Sequence, residues 1–261
     1  MKSILNKGIH ELLKLTHWSV SVTDSERESY IQRAAEVQLE IKNWIGKTEY
    51  EKVGLGQNCN ASWYLKATDN KLASYPFDWL FTTPEFIEDM LSDNFEALLN
   101  RSQLIPHGLD AGHKRYHEWL FGHRNPASSD SDLQFLKRCI DRWNALIQSQ
   151  KPVVFVTVVL NEFEKRKRWR DGFNKDFDLP KNQVLADFNP MMDKLLAINP
   201  NCKFLFIEQY TEREFELLKL HQDERAFWLK FCSVDTNTGV QYLNSVDDEI
   251  MKVIYAGFNQ T

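Results

Sequence analysis

The chain has 261 residues, of which 43% are hydrophobic and 13% aromatic. This content is enough for a packed core and excludes an intrinsically disordered protein. The 32 Lys and Arg against 37 Asp and Glu give a formal net charge of −5. General nucleic-acid binding needs a strongly basic surface, so the charge argues against that class of function. The length suits one large domain, or one domain with an appendage.

The cysteines give no sign of a secreted or zinc-bound scaffold. Cys59, Cys139, Cys202 and Cys232 are few and widely spaced, and none belongs to a C-x-x-C pair. The N-terminus lacks an apolar core of signal-peptide length, and the longest apolar stretch, residues 153–160, is less than half a membrane span. We expect a soluble cytoplasmic protein that binds neither membranes nor nucleic acid. The sequence does not indicate its oligomeric state.

The N-terminal part is predicted to be helical. Residues 1–50 contain two amphipathic patterns, one over residues 4–15 and one that starts near Asp24 and ends at Gly46. No chemical motif stands out in this part, so we interpret it as a helical extension. Residues 51–261 are predicted to form a single α/β domain.

Helix-start signals recur in this main domain. Thr83 is a good N-cap, Pro84 suits the first helical position, and apolar spacing extends this helix to Leu99. Further helices are predicted to begin near residues 59, 131, 189 and 245.

Apolar runs between these helices predict buried strands. Residues 152–160 are β-branched without polar alternation, which is typical of a central strand covered on both faces. Residues 203–207 and 226–234 are further strands, and a glycine-broken strand precedes them at 52–55. The alternation predicts a layered α/β domain with a mostly parallel central sheet. Ligands bind at the carboxyl ends of strands in such folds, which points to residues 56–59, 161–162 and 208–209.

Cys59 is the leading candidate for a chemical role. It follows the glycine-bearing strand at the predicted start of a helix, where free N–H groups and the helix dipole lower a thiol pKa below about 8.5. The same N–H groups, with the side-chain amide of Gln57, would hold an oxyanion during acyl transfer. The alternative is a small cysteine packed at a strand–helix junction.

The loop from Gly54 to Cys59 also permits a second interpretation. Its Gly-Leu-Gly-Gln-Asn-Cys spacing is that of a dinucleotide-binding loop, with cysteine in place of the third glycine. A strand, a glycine loop and a helix can hold phosphate on backbone amides without the full motif. Gly56 and Asn58 are therefore candidate substrate-binding residues.

A nucleophilic thiol needs a base, and His117, beside Glu118 and among aromatic residues, is the best placed of the seven histidines. His113 and His123 suggest a metal site as an alternative, but Phe121 stands where an H-E-x-x-H motif has its second histidine. Histidines hydrogen-bonded within an irregular segment are the remaining interpretation. We predict neither a metal nor a cofactor.

Two further groups of residues are candidates. Asp78 lies between apolar neighbours, including Trp79, so it needs partners. It would orient a histidine, bind a substrate hydroxyl or cap the next turn, and Trp79 would contact substrate. Residues 164–170 hold five cations in seven positions. They form either a solvated helical face or an anion site in which Arg168 acts beside Asn161, which follows the central strand.

One part of the chain resembles a known family. Residues 53–59, followed by Ser-Tyr-Pro-Phe-Asp-Trp at residues 74–79, resemble a bacterial family of unknown function described as papain-like cysteine peptidases. The resemblance covers roughly residues 52–210, and the Ser-Tyr-Pro-Phe-Asp-Trp box is its most specific part. His117-Glu118 stands where the family more often has His-Asp.

The resemblance implies a Cys59–His117 dyad, with Gln57 near the oxyanion hole and Asn161 or Asp78 as the residue that orients the histidine. It also implies a papain-like α+β fold as the alternative to the layered sheet. The function expected first is a cysteine-dependent hydrolase or acyl transferase for a small-molecule, peptide or glycan-related substrate. The alternative is a non-proteolytic transferase or binding domain for a nucleotide or an anionic sugar.

Overall fold

The structure is a computed structural model that describes residues 20–162, 171–177, 182–211 and 214–259. The helix predicted over residues 4–15 lies outside these ranges. Within them, no helix combines the length and the apolar character that crossing a bilayer requires.

Helices and strands alternate along the described chain, as the sequence predicts. The described ranges contain seven helices and eight strands. In chain order they are α1 (Asp24–Ile45), β1 (Glu51–Gly54), α2 (Asn60–Ala67), α3 (Pro84–Ser92), α4 (Glu96–Leu99), β2 (Leu104–His107), β3 (Asp110–His113), β4 (His117–Phe121), α5 (Asp130–Gln148), β5 (Val153–Leu160), α6 (Asn189–Ile198), β6 (Cys202–Thr211), β7 (Glu216–Gln222), β8 (Ala226–Ser233) and α7 (Ser245–Ala256).

The main sheet has the strand order β1-β5-β6-β8-β7. The first four of these strands are parallel, and β7 pairs with β8 in the antiparallel sense at one edge. All eight residues of β5 are buried, because helices cover both faces of the sheet. The prediction of a mixed α/β fold with a mostly parallel sheet is confirmed. This sheet is not the helical lobe and small barrel of the papain-like alternative.

Helices α1, α2 and α7 cover one face of the sheet. Trp44 of α1 packs on Phe227 of β8 with ring centroids 5.5 Å apart. Helix α2 approaches β1 so closely that a Cβ at Gly54 would lie 2.5 Å from Ser62 Oγ. The buried side chains of α1 belong to the same hydrophobic core as the sheet, so this helix is integrated into the layered structure.

Helices α5 and α6 lie on the opposite face. Trp143 of α5 contacts Phe155 with centroids 5.5 Å apart, and Phe188, just before α6, contacts Phe206 at 4.7 Å. Side chains alternate between the two faces along a strand. Phe155 pairs with Phe204, two residues from Phe206, so both contacts lie on one face, whereas Phe227, the partner of Leu205, lies on the other.

The helix predicted from Thr83 to Leu99 is interrupted. Thr83 Oγ1 accepts the Phe86 N–H at 3.1 Å, as expected of an N-cap, but the helix ends at Ser92. Phe95 then has a φ of 65° and is 1% exposed. Its ring packs against Phe77 and Trp143, and this burial offsets the left-handed backbone.

A second, three-stranded antiparallel sheet, β2-β3-β4, is formed by a segment in which the sequence predicts no regular structure. At Gly112 in β3, a Cβ would lie 1.8 Å from Glu118 O, so close strand contact requires glycine there. Leu80 bridges to Phe121, which attaches this sheet to the segment that follows the residue 74–79 box.

Candidate functional site

Cys59 lies at the carboxyl end of β1 as the N-cap of α2, as predicted. Its side chain makes no capping hydrogen bond. The Asn60 N–H donates to Asn58 Oδ1 at 2.9 Å, and the Trp63 N–H donates to the Cys59 carbonyl at 2.9 Å. Within the described chain, the N–H groups of Ala61 and Ser62 have no hydrogen-bond acceptor. Both residues are buried, so the first turn of α2 holds two backbone donors that are buried and have no acceptor within the described chain.

Cys59 as a residue is half-buried, whereas the other three cysteines are buried. Desolvation, followed by the negative charge of Asp78, raises the pKa of Cys59 to about 12. The direction is opposite to the lowered pKa that its place at a helix start predicts. Loss of water around the sulfur outweighs the helix dipole here.

Asp78 is fully buried and binds groups other than histidine. Its carboxylate accepts hydrogen bonds from Ser62 Oγ at 2.9 Å and from the Tyr75 N–H at 2.7 Å, and it forms an ion pair with Lys71. Burial raises the Asp78 pKa, and Lys71 opposes that rise. Through these contacts Asp78 joins α2 to the residue 74–79 box, and no histidine is among its hydrogen-bond partners in the described chain.

Gln57 extends the edge of the main sheet beyond β1. It has a φ of 64°, and its Oε1 accepts the Leu160 N–H at 2.9 Å. Its Nε2 donates to Gln183 Oε1 at 2.5 Å. Both polar atoms of the side chain are engaged in this network, so in this arrangement the Gln57 amide already has protein partners and does not lie open to an oxyanion.

Asn161 continues the same network on the next strand. Its Nδ2 donates to Glu208 Oε1 at 2.6 Å, and its Oδ1 accepts the Gln183 N–H at 2.8 Å. Glu208 Oε2 also accepts from Trp228 Nε1 at 3.0 Å. Asn161 therefore joins strand ends to one another instead of orienting a histidine. No sequence pattern points to Gln183 as a member of this network, because its partners are distant in the chain.

His117 is 1% exposed in β4. Its Nδ1 accepts the Trp119 N–H at 2.9 Å, which in a neutral ring leaves the proton on Nε2. The rings of Phe81 and Phe173 pack against it at 5.0 and 4.5 Å, and a Cβ at Gly172 would lie 2.4 Å from its Cε1. No hydrogen bond joins it to Cys59, a pair that lies wholly within the described residues.

The two other predicted histidine ligands do not form a metal site with His117. His113 Nε2 is 3.0 Å from the Ala97 carbonyl, and the Arg115 N–H donates to its Nδ1 at 3.2 Å. The described ranges contain no cluster of three or more His, Cys, Asp or Glu side chains arranged to hold a metal ion.

Gly56 has a structural reason to be glycine. Its φ is +88°, and a Cβ there would lie 2.5 Å from Thr82 Oγ1. The same hydroxyl accepts the Gln57 N–H at 2.9 Å. The two glycines of the loop thus permit close packing by Ser62 and Thr82, and the space at Gly56 is occupied by protein. A phosphate therefore cannot lie at Gly56, and a phosphate site in this part of the chain would have to use the residues that follow Gly56.

Three buried amides at the carboxyl edge have unpartnered atoms among the described residues. Asn58 is 3% exposed and lacks a partner for Nδ2, whereas Asn60 is fully buried and lacks one for Oδ1. Gln209, near the end of β6, is 1% exposed and lacks partners for both polar atoms. We call Asn58, Asn60 and Gln209 the carboxyl-edge amides. Sequence reasoning pointed to Gln209 as part of a candidate strand end, but it gave Asn60 no ligand-binding role.

The remaining predicted binding residues lie elsewhere or outside the structure. Trp79 lines a surface pocket together with Pro76, Arg124 and Phe135, and Cys59 does not line that pocket. Arg168, with the rest of the cationic segment at residues 164–170, lies outside the described residues.

No protein-family model matches the chain, and neither a curated protein nor a solved structure is similar enough to match it. The likeness to papain-like peptidases therefore stays a prediction.

Proposed function

We propose that the chain is a non-proteolytic transferase or binding domain for a small anionic ligand, a nucleotide or an anionic sugar. The ligand binds at the carboxyl edge of the main sheet, on the first turn of α2. One observation carries the proposal: Asn58 Nδ2 and Asn60 Oδ1 are buried without partners within the described chain, beside the available N–H groups of Ala61 and Ser62.

Unpartnered polar atoms are expensive in a protein interior. Each lost partner costs about 1–3 kcal/mol, and most buried polar groups in native structures are therefore hydrogen-bonded. Several such atoms close together at one helix start indicate a binding site, in which a ligand supplies the missing hydrogen-bond partners. The N–H groups of Ala61 and Ser62 and the amide of Asn58 are donors suited to a phosphate or carboxylate, and Asn60 Oδ1 accepts from a ligand hydroxyl.

The local charge permits an anion. The Asp78 carboxylate lies against the first turn of α2, but Lys71 pairs with it and offsets its negative charge. The helix dipole adds partial positive charge at the same end of α2. The other side chains proposed to contact the ligand are neutral amides, which do not repel an anion as carboxylates would.

Binding of ribose 5-phosphate and inorganic phosphate, measured by titration calorimetry, tests the proposal. Asn58→Asp keeps the oxygen that caps Asn60 but replaces the amide donor by a negative oxygen, so we expect at least about tenfold weaker binding. Asn144→Asp, on α5 at the opposite face, adds the same charge and leaves binding unchanged. Absence of binding by the wild-type chain, or equal binding by both variants, contradicts the proposal.

A cysteine-dependent hydrolase or acyl transferase is the second candidate, because Cys59 is the one cysteine that is not a buried residue and it occupies the N-cap position of α2. We expect turnover of an activated ester, p-nitrophenyl acetate, to disappear in Cys59→Ala and to persist in Cys139→Ala. Equal turnover in the two variants excludes this candidate.

A further inference from the structure

We infer that Gln209 reads the base of a nucleoside phosphate whose phosphate lies on α2, and that it is the specificity-determining residue of the site. This inference rests on the proposed function and narrows the ligand from any small anion to a nucleotide.

The register of the main sheet places Gln209 on the α2 side. Gly54 pairs with Val156, and Gly54 is the residue against which α2 packs. Leu160 lies four residues beyond Val156 and shares its face, and Leu160 pairs with Gln209. The side chain of Gln209 therefore projects from the face that α2 covers.

Gln209 is also near the start of α2. The Leu160 N–H donates to Gln57 Oε1 at 2.9 Å, and Gln57 is two residues before Cys59. Neighbouring strands are about 4.8 Å apart, so Gln209 is one strand away from the residue that contacts the α2 loop. The register therefore places the carboxyl-edge amides at the same end of the sheet.

The segment 237–242 forms the remaining wall. Asn60 Nδ2 donates to the Val240 carbonyl at 3.3 Å, and the ring of Tyr242 lies 5.3 Å from that of Phe231. Phe231 is the β8 partner of Gln209. Because Gln209 is 1% exposed, a ligand reaches it only when this segment moves outward. The segment is a turn with Gly239 at a φ of +80°. The Thr238 N–H donates to the Gln241 carbonyl at 3.0 Å and the Tyr242 N–H to Tyr64 Oη at 3.2 Å, so ligand binding has to open these contacts.

The chemistry of a free carboxamide favours a nucleobase. Gln209 has both Oε1 and Nε2 unpartnered among the described residues, whereas the equally buried Gln57 and Gln183 each engage both atoms. A planar group with an acceptor beside a donor matches the edge of a base, as in the bidentate pairing of glutamine with adenine. The ring of Phe231, which Tyr242 covers, provides a surface for stacking once the segment has moved outward.

Titration calorimetry with AMP, GMP, CMP, UMP and ribose 5-phosphate tests the inference. We expect the wild-type chain to bind at least one nucleotide about tenfold or more tightly than ribose 5-phosphate. Gln209→Met should abolish that preference while it keeps binding of ribose 5-phosphate. Gln222→Met, on exposed β7, is the control. Gln209→Glu keeps the shape of the side chain and removes its donor, so it should also lose the preference for a nucleotide. This variant replaces Gln209→Met in the test if the methionine variant does not fold.

Thermal unfolding without ligand gives a second readout. Because the amide is unpartnered, Gln209→Met should have a higher Tm than the wild type. A lower Tm shows that a trapped water satisfies the amide, and overturns the inference. Binding of ribose 5-phosphate without any nucleotide preference overturns the inference but not the proposed function. Absence of binding by every compound overturns both.

Discussion

Lys71 and Asp78 form an ion pair against the first turn of α2, with side-chain exposures of 6% and 0%. Removal of one partner leaves a buried charge. Lys71→Met is expected to lower the free energy of unfolding by about 3–5 kcal/mol, as measured by urea denaturation. The double variant Lys71→Met/Asp78→Asn should recover part of this loss, since no charge is then left unpaired.

The exposed pair Arg101–Asp130 is the control for this prediction, because its side chains are 43% and 86% exposed. Arg101→Met should change stability by less than about 1 kcal/mol. An equal effect of Lys71→Met and Arg101→Met would show that the Lys71–Asp78 pair is solvated.

Cys59 should react slowly with iodoacetamide. With its pKa raised to about 12, the thiol is almost wholly protonated at pH 7, and the alkylation rate should rise steadily with pH through pH 9. Mass spectrometry of the labelled native chain measures this rate, and the denatured chain gives the reference. A plateau of reactivity that begins near pH 6 would instead establish a stabilised thiolate and favour the cysteine-dependent candidate.

Asp247 makes stability dependent on pH. It is buried at the start of α7, and its carboxylate accepts the N–H groups of Val234 and Asp235 at 3.1 and 3.0 Å. Desolvation raises its pKa from 3.8 to about 7. Since the folded state holds this proton more tightly than the unfolded state, the stability from Asp247 is complete below about pH 4 and is lost as the pH rises to 7.

Urea denaturation between pH 4.5 and 7.5 measures this loss. Asp247→Asn cannot ionise, so its stability should fall less with rising pH than that of the wild type, by on the order of a few kcal/mol over the range. Asp69→Asn, at an exposed position, should follow the wild type. A wild-type curve parallel to that of Asp247→Asn would rule out the raised pKa.

Gly172 should tolerate no side chain. A Cβ there would lie 2.4 Å from His117 Cε1, so Gly172→Ala must displace the ring or the backbone, at a loss of about 1–3 kcal/mol in urea denaturation. Gly122 has open space around its Cβ position, and Gly122→Ala should be close to neutral. Equal stability of the two variants would show that His117 is not held by this contact.

Local sequence signals predicted the layered architecture well. The Thr83-Pro84 start, the helix from Asp24 and the buried run at Val153–Leu160 are found where the sequence places them. Each signal depends on residues a few positions apart, such as a cap and its first turn or an uninterrupted apolar run. The sheet at β2-β3-β4 was missed because its strands are four or five residues long and lack an alternating pattern.

The sequence by itself therefore determined the class of fold and the position of Cys59 at a helix start. Only the tertiary structure decided what surrounds that position. The pKa of Cys59 follows from desolvation by distant segments, and Gln57 meets the Leu160 N–H across 103 residues and Gln183 across 126. Hydrogen-bond partners and solvent exclusion at a site depend on which segments meet in space, and residue spacing along one segment does not specify that meeting.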